Sequence, residues 1–261
     1  MKIKDFINTL SADGTRSFNI SEIKKSLGSS DKAVWNAIER SKAVGELASP
    51  AKGFYLIIPP EYRILQCLPP EFFIPQLMSY WKIQYYVCLQ SAAMYYGATH
   101  QQTQIFYVMI PKNRPMIKCG KVRIEFIAKQ QLLRTPVQVI KTAAGYINVS
   151  TPESTAMDII CYMRKCGGVN SVLTILEELA ERMGNDPLRK LADASQEKAW
   201  IQRLGFLLEE IGQLELSESL YENLQHHSTN IIPLASYLPM KGSKRNLKWR
   251  IAVNTNLESD L

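Results

Sequence analysis

The stretch from Ser21 to Ile58 constrains this chain more than any other, because its residues specify a helix, a turn, a second helix and a hairpin in succession. Ser21 stands at an expected N-cap with Glu22 in the first turn, and Gly28-Ser29 breaks the helix after Leu27. A second helix is expected to open at Ser29 or Ser30, with Asp31 at the positive end of its dipole, and to run to about Val44. Val34, Ala37 and Ile38 fall at core spacing, while Lys32, Asn36 and Arg40, spaced by four, project together from the other side. Gly45 to Ala48 and Phe54 to Ile58 then read as two strands around a Ser49–Gly53 turn that carries Lys52 at its tip.

This order predicts a winged helix-turn-helix, and its side chains suit duplex DNA. A helix fits a major groove about 12 Å wide, where Asn36 can read adenine and Lys32 or Arg40 guanine. Ser29 and Ser30 at the turn, Lys24 on the first helix and Lys52 on the wing are placed for phosphate. The same architecture also serves purely for protein contacts, and Asp31, Glu39 and Glu46 dilute the positive charge.

Charge distribution extends the argument. The chain of 261 residues carries a formal net charge of +7, made of +3 over residues 1–60, +5 over 61–130, −4 over 131–229 and +3 over 230–261. Lys112, Arg114, Lys118, Lys121 and Arg123 are expected to form a basic surface continuous with the wing, although a solvated hairpin rim would carry the same residues. The length allows a domain over 1–60 and a larger one over 61–261, divided near Pro60, and the 46% apolar content is enough to fill both cores.

Beyond the wing the periodicity changes twice. Ile3, Phe6, Ile7 and Leu10 predict a first helix, with Ala12 to Ser17 as its exit loop; Ile74–Trp81 and Tyr85–Tyr96 read as helices, the latter closed by Gly97. A sheet is expected over about 85–150, from strands at Gln104–Ile110, Lys121–Ile127, Val137–Lys141 and Tyr146–Val149. Helices follow over about 151–227, the first with Thr151 as N-cap, Pro152 at its first position and one apolar face of Ala156, Ile159, Ile160 and Met163. A terminal strand at about 246–254 is expected to rejoin the sheet. The predicted class is α/β in the α+β sense.

Several motifs run through this frame: Pro-Pro-Glu-Tyr-Arg at 59–63, Leu-Pro-Pro-Glu-Phe-Phe-Ile at 68–74, Tyr-Tyr-Val-Cys-Leu-Gln-Ser-Ala-Ala at 85–93 and Tyr-Gly-Ala-Thr-His-Gln-Gln at 96–102. Gly-Tyr-Ile-Asn-Val-Ser-Thr-Pro-Glu-Ser-Thr-Ala-Met-Asp at 145–158 and Gln-Arg-Leu-Gly-Phe-Leu-Leu at 202–208 complete the set. In this order they resemble the AbiEi family of bacterial antitoxins over nearly the whole chain. The resemblance implies a type IV abortive-infection toxin–antitoxin system whose toxin, AbiEii, is nucleotidyltransferase-like. It further implies a winged helix that represses its own operon at inverted repeats. A C-terminal domain would neutralise the toxin without a stable complex.

The residues favour a non-enzymatic reading. Glu153 and Asp158 lie on different faces of one helix, Glu125 lacks the acid-x-Lys spacing of restriction-type nucleases, and no Gly-rich phosphate loop occurs. His100 reads as a loop hydrogen-bonding residue, His226-His227 as a helix terminus, and the five cysteines as free thiols without zinc spacing. No cofactor, metal or membrane span is expected, and the chain should be cytoplasmic. The alternative is a nuclease-like nucleic-acid-processing enzyme delivered by the winged helix. Without a heptad pattern, and with acidic helix faces such as Glu177, Glu178 and Glu181, a monomer in solution is expected, two copies meeting on a symmetric operator.

Overall fold

The computed structural model describes residues 2–99 and 104–257 as a mixed α/β chain. Its elements begin with α1 (Ile3–Ala12), β1 (Ser17–Asn19), α2 (Ile20–Leu27), α3 (Asp31–Ala43), β2 (Leu47–Ala51), β3 (Phe54–Ile57), α4 (Ile74–Trp81), β4 (Tyr86–Val87) and α5 (Leu89–Ala93). Five strands follow: β5 (Phe106–Ile110), β6 (Ile117–Cys119), β7 (Val122–Ala128), β8 (Val137–Thr142) and β9 (Gly145–Ser150). The remainder is α6 (Pro152–Cys161), α7 (Val169–Leu179), α8 (Asn185–Ala194), α9 (Ala199–Glu210), α10 (Leu214–Gln225), β10 (Ile232–Pro233), β11 (Lys244–Asn246) and β12 (Ile251–Val253). Three sheets have the orders β1-β3-β2, β6-β7-β5-β4-β9-β8 and β10-β12-β11.

Contacts divide the chain into two compact units, one of residues 1–86, 104–132 and 139–148, the other of 87–103, 133–138 and 149–261. In the first, α1, α2 and α3 pack on the β1-β3-β2 sheet. Ile23, Val34 and Ile38 are fully buried, and Phe18 meets Phe6 edge-on and stacks on Tyr55. Burying each such aliphatic side chain contributes about 1.5–3 kcal/mol.

Two local expectations change here. The N-cap of α2 is Asn19 and not Ser21: its Oδ1 accepts the Ser21 and Glu22 amides at 2.9 and 3.1 Å, while Glu22 accepts the Asn19 amide at 2.7 Å. A capping box therefore starts the helix earlier and frees Ser21 to be helical. The end of the expected exit loop is β1, which pairs with β3 through Phe18↔Tyr55; three residues are too few for alternation to reveal. Pro50 sits within β2, beside the register shift between Ala48 and Ala51, leaving Lys52-Gly53 as the turn. β2 is an end strand of its sheet, where a missing amide donor is tolerated.

The expected helix Tyr85–Tyr96 begins as a strand instead. Tyr86 and Val87 are fully buried, and Val87 pairs in parallel with Val149; only then do α5 and a 3₁₀ turn, Met94–Tyr96, run to Gly97, which closes it in a left-handed conformation. A strand buried on both faces has no alternation and resembles a helical run. β5 and β7 are parallel, and β6, unforeseen, pairs antiparallel to β7.

In the second unit, Thr151 caps α6 as expected, its hydroxyl accepting the Ser154 amide at 3.3 Å. The helix is buried all round and not on one face, from Glu153 through Ile160, because α5, α7, α8 and α9 all pack against it. Its polar residues are bonded internally: Ser150 and Thr155 hydroxyls meet at 2.6 Å, and Glu153 accepts the Gly184 amide at 2.9 Å. The terminal strand does not rejoin the long sheet. β12 pairs with β10 and β11, and buried Trp249 precedes it.

Glu209 on α9 ties this end down. Its Oε2 accepts from Lys248 Nζ at 2.5 Å, Trp249 Nε1 at 2.8 Å and Ser217 Oγ at 3.5 Å. Burial opposes its ionisation, but these donors outweigh it and hold the carboxyl below the usual range. A depressed carboxylate stabilises the fold above its unfolded-state pKa, and that contribution is lost as pH falls through the folded value. Glu209→Gln should therefore lower the thermal midpoint at about pH 7, and the gap from wild type should close toward about pH 3. A gap constant across that range would show that the carboxylate charge contributes nothing.

Candidate nucleic-acid interface

The first unit gathers most of the sequence-predicted residues. Gly28, left-handed at φ 57°, ends α2, and Ser30 opens α3, its hydroxyl accepting the Ala33 amide at 3.4 Å. Lys32, Asn36 and Arg40 all lie exposed on α3, opposite Val34 and Ile38. Arg40 Nε donates to the Asn36 carbonyl at 3.2 Å, leaving the rest of the guanidinium on the surface. Trp35 lies on this face too, at 41% exposure, and was not among the expected residues. Its signal was present: a large aromatic three residues after Lys32 falls on the polar side of the helix.

The expected phosphate ligands divide. Ser29 Oγ donates to the Leu27 carbonyl at 3.2 Å, within the turn. Lys24 is half-buried and paired with Asp31 at 2.8 Å, so its charge bridges α2 and α3 and is partly cancelled. Lys25, its neighbour, is exposed on the last turn of α2. Lys52 is exposed at the hairpin turn, and that turn is clamped: Tyr80 Oη donates to the Lys52 carbonyl at 3.3 Å and Ile20 N to the Gly53 carbonyl at 2.9 Å. Gly53 is favoured there, being left-handed, and an added Cβ would meet Tyr80 Oη at 2.8 Å.

Of the second cationic group, Lys118 and Arg123 are register partners on β6 and β7, so two like charges share one sheet face. Arg123 Nη1 also donates to the Gly120 and Val122 carbonyls at 2.7 and 3.0 Å. Lys112, Arg114 and Lys121 are all exposed, and the Arg114 guanidinium lies over the Trp81 ring at 4.1 Å. β6 runs beside β2 within the same unit.

Elsewhere, His226 closes α10 and the His227 amide bonds to the Leu224 carbonyl, the helix-terminal position expected of the pair. His100, Gln101 and Gln102 lie outside the described residues. All five cysteines are free thiols. Among the described residues, no group of three or more His, Cys, Asp or Glu is placed to hold a metal, and no helix is long and apolar enough to cross a membrane.

Residues 85–210 match a family model for an antitoxin domain. The model is that of the AbiEi antitoxin C-terminal domain, and the match supports an AbiEi-family antitoxin. Among solved structures, the RV2827C protein from Mycobacterium tuberculosis is similar, with a TM-score of 0.69 at 14% identity, covering 94% of this chain and 89% of that one; this likeness is one of fold. An antigenic nucleotidyltransferase-like protein from Paracoccidioides brasiliensis aligns at a TM-score of only 0.37 and 11% identity, over 56% of this chain and 88% of that one. No curated protein shows a significant match.

The segment 202–208 has a structural explanation. Gln202 Nε2 donates to the Asn230, Trp249 and Arg250 carbonyls at 3.0, 3.0 and 3.3 Å, and Arg203 Nε to the Pro233 carbonyl at 3.0 Å. Gly205 leaves space for Trp249, whose ring would lie 2.1 Å from an added Cβ.

Proposed function

We propose that this antitoxin is a non-enzymatic DNA-binding repressor of its own operon, acting at inverted repeats, in a type IV abortive-infection system. Residues 1–60 serve as a winged helix-turn-helix and 61–261 as the antitoxin domain, which counteracts a nucleotidyltransferase-like toxin of the AbiEii kind without forming a stable complex. The observation that carries the DNA reading is the exposed face of α3, where Lys32, Trp35, Asn36 and Arg40 stand together after a Ser30-capped turn and ahead of a hairpin with Lys52 at its tip. The family match over residues 85–210 supports the antitoxin part. The supporting cations are Lys25, Lys52, Lys112, Arg114, Lys118, Lys121 and Arg123, with Lys24 reduced in role by its pairing with Asp31.

Gel-shift titration with duplex from upstream of the gene tests the reading. Tight binding there, with affinity for unrelated duplex lower by about 10³-fold or more, is expected; equal affinity for both would refute operator recognition. Cleavage of plasmid or RNA that requires added Mg²⁺ or Mn²⁺ would refute the non-enzymatic reading in favour of a processing enzyme.

A symmetric operator presents two half-sites, and one α3 occupies one of them. The chain should therefore sediment as a monomer at micromolar concentration and load two copies per operator. A stable free dimer would refute assembly on the DNA while preserving that stoichiometry.

A further inference from the structure

Cys67 and Cys119 meet in the first unit, although 52 residues separate them in sequence. Cys67 follows the 3₁₀ turn Pro60–Tyr62 after β3, and Cys119 ends β6, opposite Val122 of β7. The backbone presses the two segments together. The Lys121 amide donates to the Leu65 carbonyl at 2.9 Å, and Gly120 turns left-handed at φ 53°, where an added Cβ would lie 2.3 Å from that carbonyl oxygen. Gln66 also adopts a left-handed φ of 55°, a conformation uncommon outside glycine, which aims the next residue at β6. The thiols share a hydrogen bond and are 0% and 5% exposed, whereas Cys161 is exposed.

The surroundings distinguish the two sulfurs. Cys119 accepts the Cys67 hydrogen bond; burial opposes its ionisation, but the Ser49 amide donates to it and the Lys42 cation lies near, so its thiol is held below the usual range. Cys67, donating to Cys119 and buried, is pushed up. The two sulfurs thus differ in their readiness to ionise, Cys119 being the one whose surroundings favour the thiolate.

We propose that Cys67 and Cys119 form a reversible dithiol–disulfide site whose oxidant is a peroxide small enough to reach the edge strand β6. The Cys119 thiolate attacks one peroxide oxygen, the O–O bond breaks, and the departing hydroxide takes a proton to leave as water, giving a sulfenic acid. Cys67 sulfur then attacks Cys119 sulfur; the S–O bond breaks, and the hydroxyl leaves with the Cys67 proton as a second water. Two electrons pass from the dithiol to the peroxide, and an external thiol reverses the link by exchange. The Ser49 amide lies on β2, so the reaction changes the acceptor that this hairpin strand has in Cys119.

The test is peroxide treatment of the full native chain followed by alkylation and digestion without reductant. The expected product is a Cys67–Cys119 linked peptide pair, lost on treatment with dithiothreitol. In Cys67→Ser, dimedone should trap a sulfenic acid on Cys119; in Cys119→Ser, Cys67 should stay an alkylatable thiol. The proposal is overturned if Cys161 is oxidised while Cys67 and Cys119 of the wild-type chain remain thiols. Equal dimedone labelling of the remaining cysteine in the two variants would overturn the assigned roles. The wild-type cross-link needs no substitution, so the central outcome is read on the native fold even if a variant unfolds.

Discussion

Gly205→Ala should destabilise the second unit by about 3 kcal/mol, a large effect for one added methyl. The residue lies within α9, where alanine is intrinsically favoured over glycine by about 1 kcal/mol, so helix propensity predicts the opposite sign. Packing overrides it, because the new Cβ would sit 2.1 and 2.2 Å from two carbons of the Trp249 ring. That ring is fully buried, packs edge-on against Tyr221 and donates to Glu209, so moving it also disturbs a hydrogen bond. Urea unfolding of the full chain measures the loss. Trp249→Leu alone should also destabilise, but combined with Gly205→Ala the loss should fall well short of the two added together, since the smaller side chain makes room for the methyl. Strict additivity, or a neutral Gly205→Ala, would show that the glycine is not there for the tryptophan.

What the sequence disclosed follows the range of each interaction. Thr151-Pro152-Glu153 and Gly28-Ser29 act through backbone amides within a turn, and the structure has a helix start and a helix end there. Asn19 was missed in favour of Ser21 because both precede an acidic residue; the choice depends on the strand Ser17–Asn19, whose partner lies more than thirty residues on. Tyr86-Val87 and Trp249 were misread for the same reason. Their environment is built by Val149 in one case and by α9 in the other, and neither lies within a local window. α6 shows the limit of amphipathic reasoning: Ser154 and Asp158 fall outside the apolar stripe, yet both are buried, since four helices surround them.

The candidate interface was legible where exposure alone decides, as for Lys32, Asn36 and Arg40, which the i, i+4 rule puts on one side. It was illegible where partners decide. Nothing in the spacing announces that Asp31 takes Lys24 or that Trp81 takes Arg114, because these contacts join separate elements. The family match begins at residue 85 and so does not include α3; the segment 202–208 is explained by the packing of α9 against Trp249 and the residues beside it.

The replacements with the largest expected effect on DNA binding are on α3. If Asn36 reads a base edge, Asn36→Ala should weaken operator binding by about 1–3 kcal/mol and relax preference at one base position. Arg40→Ala should behave likewise, and loss of both should approach the affinity for unrelated duplex. Lys52→Ala at the clamped hairpin turn should instead weaken all duplexes alike and flatten the salt dependence by about one charge. Lys24 supplies the internal contrast. Its ammonium is already engaged with Asp31, an exposed pair worth about 0–1 kcal/mol, so Lys24→Ala should alter the salt slope less than Lys52→Ala does. The order of effects is therefore fixed by geometry: sequence-selective losses on α3, a uniform loss at Lys52, and the smallest change at Lys24. Gel-shift titrations at several salt concentrations, with operator and scrambled duplexes in parallel, separate these outcomes. A selective loss at Lys24 together with an unchanged Asn36→Ala would move the reading surface from α3 to α2.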